Sequence, residues 1–97
     1  MSHEYKISAH RKVGEWLEGK IDGFLFQAKV YDIGSQYGID NGRVSKLTIW
    51  AADRHPGDAI INYDRGWDKS PSEGWQQELL QALLAYLEAF LVRNMGG

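Results

Sequence analysis

Cysteine is absent from the 97 residues. That excludes a disulfide framework and any metal site built on thiolates. Proline occurs twice, as Pro56 inside a turn and Pro71 at a helix start, so no proline breaks the C-terminal segment. No apolar run reaches the ~18–20 residues that span a bilayer, and no charged-then-apolar leader opens the chain. The expectation is a soluble, cytoplasmic protein without a membrane partner. Charge of one sign is scarce too. The formal net charge is −2, so no global field draws the chain to nucleic acid or anionic lipid. Internal repeats and low-complexity tracts are also missing.

Catalytic spacing is missing as well. Thirteen carboxylates and three histidines form no recognisable constellation. His55-Pro56-Gly57-Asp58 offers two ligand types on one turn, whereas a metal site needs three or four. Asp40-Asn41-Gly42 lacks the upstream acids of a calcium loop. Gly34 and Gly38 are not followed by the Gly-Lys-Ser/Thr of a phosphate loop. No serine sits in a nucleophile elbow. A non-enzymatic protein is expected, with no metal and no cofactor.

What is present is pattern. Hydrophobic residues make up 43 % of the chain and charged residues 25 %, near the globular average. The length fits one domain, 1–97, that buries only roughly 60–65 % of its unfolded surface. Tyr5, Ile7 and Ala9 alternate, so 1–12 reads either as an edge strand or as a frayed basic terminus. Leu17, Gly19 and Ile21 share one face of a clearer strand, and Trp16, Glu18 and Lys20 the other. Asp22-Gly23 then signals a tight hairpin of type I′, with positive φ at both residues. Phe24, Phe26, Ala28 and Val30 form the apolar face of the next strand. Leu47, Ile49 and Ala51 do so in a third, starting at Arg43, and Ala59, Ile61 and Tyr63 in a fourth. Ser70-Pro71-Ser72-Glu73 reads as a helix start, with Ser70 as cap, Pro71 in the first helical position and Glu73 closing a capping box. The helix is expected over about 71–93, ended by Gly96 and Gly97. The fold class is α+β: a four-stranded antiparallel sheet, or five with an N-terminal edge strand, with one long C-terminal helix on one face.

Three features bear on function. Gly34, Gly38 and Gly42 punctuate a loop long for a hairpin, and they read as permissions for tight turns. Tyr37 and Ile39 in that loop are expected to be at least half buried against the sheet. The opposite sheet face gathers Trp16, Lys29, Tyr31, Lys46 and Trp50. Interleaved aromatics and lysines suit either single-stranded nucleic acid or a protein partner. The apolar side chains of the helix cover roughly 200° of arc, about twice the stripe needed against a sheet. Either the fold covers the excess internally, or Leu80, Leu84, Leu87 and Leu91 form a seam against a second copy or another protein.

The stretch GSQYGIDNGRVSKLTIW, with EGKIDGFLFQAKVYD before it and INYDRGWD after, resembles a family of small uncharacterised proteins of bacterial genomes and their phages. The resemblance, a GSxYGIxxGRxSKLxIW motif, covers about 15–68. It implies a mobile-element setting and no catalytic residues. The function expected is that of a homodimeric, protein-binding accessory or inhibitor protein with an unidentified protein partner. The alternative is a single-stranded nucleic-acid-binding module using the outer sheet face, and a third reading is a small-ligand binder using the Gly34–Gly42 loop.

Overall fold

Alternation in the first half of the chain closes into consecutive antiparallel hairpins. The computed structural model describes residues 4–51 and 58–95, with side chains described as far as 89. Strands β1 (Ile7–Val13), β2 (Trp16–Ile21) and β3 (Phe24–Val30) follow one another. They lead through a 13-residue connection, 31–43, to β4 (Val44–Ala51). Strands β5 (Ile61–Asp64) and β6 (Trp67–Lys69) complete the sheet before α1 (Gly74–Met95). Spatial order equals chain order, β1 to β6, and every neighbouring pair is antiparallel.

The α+β class and the C-terminal helix agree with the sequence pattern, and the sheet is wider than it suggested. Six strands form where four or five were expected. The N-terminal segment is the edge strand β1, and Tyr5, Ile7 and Ala9 pack against the core. The sixth strand comes from Arg65-Gly66, which turns the chain back instead of releasing it. Arg65 takes φ 57° and the Asp64 N–H donates to the Gly66 carbonyl at 2.9 Å. Trp67 then lies edge-on to Tyr63, with ring centroids 4.9 Å apart. The Asp22-Gly23 hairpin forms as expected, yet only Asp22, at φ 51°, is left-handed. The expected turn at 53–58 lies outside the described residues except for Asp58.

One sheet face and the helix form a single core. Leu17, Ile21, Phe26, Ala28, Val30, Val44, Leu47, Ile49, Ile61 and Tyr63 meet Leu79, Leu80, Leu83, Leu84 and Leu87. Gly19 is buried on this face, and a Cβ there would strike the Ser8 carbonyl oxygen and the Phe26 ring. The helix begins at Gly74, three residues later than the capping signal proposed, and Pro71 precedes it. Gln76 replaces the expected box. Its side-chain oxygen accepts from the Ser72 N–H at 2.7 Å and the Ser72 hydroxyl at 3.1 Å. That accounts for the one polar residue inside the apolar arc.

Most of the described part of the wide apolar arc is covered within one chain, although Trp75 stays 46 % exposed. Leu80, Leu84 and Leu87 are 2 %, 7 % and 0 % exposed, so the expected seam of Leu80, Leu84, Leu87 and Leu91 offers no free face at its first three positions. The Leu91 side chain lies outside the described set. A six-stranded sheet reaches further round a helix than four strands would, and Ile39 from the connection closes the flank. Among the described residues no helix is long and apolar enough to cross a membrane.

Candidate binding cleft

The 31–43 connection is a compact loop fixed to both layers. Its ends are joined by the Tyr31 N–H donating to the Arg43 carbonyl at 2.9 Å. Inside, Ser35 N–H donates to Gly42 O, Gly38 N–H to Ser35 O and Asn41 N–H to Gly38 O. The three glycines are needed for close approach and not for left-handed turns, which corrects the reading from sequence. Gly38 and Gly42 have φ −82° and −90°. A Cβ on Gly34 would lie 2.7 Å from the Asn41 carbonyl oxygen; one on Gly38 would meet the Gly42 carbonyl, and one on Gly42 the Glu88 carboxylate. The left-handed positions fall to Asp40 and Asn41, at φ 54° and 60°, residue types that tolerate that region. They form the short 3-10 turn Ile39–Asn41.

Arg43 then locks the loop to α1. Its backbone N–H donates to Glu88 Oε2 at 2.8 Å, its Nε to Glu88 Oε1 at 3.2 Å, and its Nη2 to the Leu87 carbonyl at 3.3 Å. The Tyr63 hydroxyl donates to the Tyr37 carbonyl at 2.8 Å, and Ser35 Oγ accepts from the Tyr37 N–H at 3.2 Å. These bonds hold the backbone and leave the Tyr37 ring outside. Ile39 is buried at 5 % exposure as expected, but Tyr37 is 52 % exposed, short of the half burial expected of it.

The ring of Tyr37 faces a cleft of about 600 Å³ between the loop and the outer sheet face. One wall is loop: Asp32, Ile33, Gly34, Ser35 and Tyr37. The other is sheet and hairpin: Lys29, Tyr31, Ser45, Lys46 and Arg65. A bulge shapes the second wall. Lys29 pairs with Lys46 and Val30 with Val44, leaving Ser45 as an extra residue. Bulges re-aim side chains in this way. The Ser45 carbonyl accepts from the Arg65 N–H at 2.9 Å, which brings the β5–β6 turn to the cleft. The Ser45 hydroxyl is buried with no hydrogen-bond partner.

The outer face is otherwise an open polar surface. Gln27 donates to Glu18 at 3.0 Å, Thr48 to Asn62 at 2.8 Å and Asn62 to Asp68 at 3.3 Å. The five residues expected to share a binding surface divide. Lys29, Tyr31 and Lys46 line the cleft. Trp16 stands beside it, since the Lys29 ammonium lies 5.8 Å from the Trp16 centroid and 5.4 Å from that of Tyr31. Trp50 lies four residues along β4, roughly 13 Å at ~3.3 Å per residue. It lines a smaller hollow of about 170 Å³ with His10 and Glu18. Sequence reasoning missed Asp32, Ile33, Ser35, Ser45 and Arg65 as site residues. Ser45 and Arg65 become wall residues through one bulge and one short hairpin, and only an apolar Ile33 in a polar stretch could have been noticed. Among the described residues no group of three or more metal-ligating side chains is placed to hold an ion.

No curated protein and no solved structure matches this chain. One family model does match, over residues 15–88, a span that includes every residue of the cleft and leaves β1 outside. The chain belongs to that family, described as "Domain of unknown function (DUF7678)".

Proposed function

We propose that this is a non-enzymatic binding protein that captures another protein in the cleft between its loop and its outer sheet face. One observation carries the reading. Six large hydrophobic side chains stay exposed among the described residues, and three of them, Tyr31, Ile33 and Tyr37, line this one cleft. Ile33 is 76 % exposed on a loop whose backbone is tied to the sheet and the helix. Rigid aromatic anchors beside an arginine are the usual makings of a protein-binding hot spot. An accessory or inhibitory role of phage or mobile-element type rests on the resemblance of the 34–50 motif alone.

The single-stranded nucleic-acid reading has less support. The Lys29 ammonium already occupies a position over Trp16 and Tyr31. Glu18, Asp64 and Asp68 also stand on the same face, where a phosphate chain would run. Affinity capture from the native host, with and without nuclease, tests both readings. Wild type should retain a protein partner after nuclease, and Tyr37→Ala and Ile33→Asp should lose it. Partners that vanish on nuclease treatment favour nucleic acid, and equal capture by the variants removes the cleft from the account.

A further inference from the structure

Two lysines stand directly opposite each other in the cleft wall. Lys29 and Lys46 are cross-strand partners in β3 and β4, and like charges so placed destabilise a sheet. The chain offsets this only in part. Lys29 leans over two rings, and Lys46 lies 3.6 Å from Asp64, whose carboxylate is shared with Arg65 at 3.9 Å. Asp64 is half exposed and serves two cations. The local sum over Lys29, Lys46, Arg65, Asp32 and Asp64 is therefore positive, in a chain whose net charge is −2. The neighbouring Ser45 hydroxyl is buried without a partner, which is rare in folded chains.

Resting on the protein-capture reading, we infer that the cleft is a seat for an acidic segment of the partner, an extended stretch with carboxylates and an adjoining apolar side chain. The carboxylates sit beside Lys29, Lys46 and Arg65, and the apolar side chain lies on Ile33 and Tyr37. Charge complementarity selects this occupant. A carboxylate beside the two paired lysines offsets their like charge and forms charge-assisted hydrogen bonds. A polyanion is disfavoured, because its affinity grows with the number of phosphates neutralised, and the rest of this face alternates its signs.

The test uses the intact protein, isotope-labelled, and two end-blocked hexapeptides, one alternating Glu and Phe and the other Gln and Phe. The acidic peptide should shift the amide signals of Lys29, Tyr31, Ser45 and Lys46 and bind at least about tenfold more tightly than its Gln counterpart, the ratio expected for one charged contact. The double variant Lys29→Gln with Lys46→Gln should stay folded by circular dichroism and lose that preference. Equal binding of the two peptides overturns the inference. So does failure of the acidic peptide to titrate at millimolar concentration, or tighter binding of oligothymidylate at the same amides. Host-partner capture that survives the double lysine variant but not Tyr37→Ala keeps the protein-capture reading and removes the acidic seat.

Discussion

Glu88 and Arg43 depend on each other unequally. The Arg43 side chain is 8 % exposed and that of Glu88 35 %. Without Glu88 the guanidinium stays buried with the Leu87 carbonyl as its remaining acceptor, and the Arg43 N–H loses its partner as well. Without Arg43 the carboxylate can turn to water. Breaking a buried pair from the side that strands a charge costs about 3–5 kcal/mol, so Glu88→Ala should fall near the low end of that range. Arg43→Met, which keeps a long apolar stem, should cost about half as much. Urea melts of both variants check the order, and equal losses would contradict it. The glycines give a second contrast. Gly38→Ala places a methyl on the Gly42 carbonyl, a backbone group in a braced loop, and should destabilise severely. At Gly23 a Cβ meets nothing within 4 Å and φ is not left-handed. Gly23→Ala should be neutral or stabilise by up to about 1 kcal/mol through the unfolded chain. The two large apolar loop positions divide in the same way: Ile39→Ala should cost about 2–4 kcal/mol, and Tyr37→Ala much less, because its ring is half in water.

At the scale of elements, α1 is a core helix. Leu84→Glu would place a carboxylate at a position 7 % exposed, between the sheet and Ile39. Burying an unpaired charge costs several kcal/mol, so the variant should lose its circular dichroism signal or melt far below wild type. A well-folded Leu84→Glu protein would show that this leucine is not structural. The heptad-like spacing was legible in the sequence and its partner was not, because a leucine stripe has the same pattern facing a sheet or a second helix. Hairpins were legible wherever alternation ran for five residues or more. Strand β6 was not, since its three residues WDK carry no alternation and depend on pairing with β5. Lys29 and Lys46 were both legible as outer-face residues. Their direct opposition was not, because the register between β3 and β4 is set by a bulge that no local pattern marks.

Across the whole molecule, stability should fall from the centre of the sheet to its edges. Strands β3 and β4 are flanked on both sides and covered by α1, whereas β6 is a three-residue edge. Amide exchange should be slowest in β3 and β4 and fastest in β6; a β6 as slow as β4 would contradict this. The other edge carries a titrating group. Burial, and then the Glu78 and Asp22 carboxylates, raise the Tyr5 phenol above its ordinary 10.0. A pKa raised in the folded state means the folded chain holds its proton longer, so the Tyr5 contribution is intact below pH 10.0 and disappears as pH climbs through the raised value. Thermal melts should show a steeper alkaline loss in wild type than in Tyr5→Phe, and parallel curves would refute it.

The bulge at Ser45 has a consequence for how the molecule can be edited. Removing Ser45 would leave Val44 opposite Val30 and Lys46 opposite Lys29, so both sides of the pleat keep their phase and the core keeps its contents. What disappears is the carbonyl that holds the Arg65 turn and the extra residue that sets the width of the cleft. Under the proposed capture role, substitutions at the lysines should change what the cleft attracts, whereas this deletion should remove the cleft. A Ser45 deletion should melt close to wild type and capture nothing, separating the scaffold from the proposed recognition surface with a single codon.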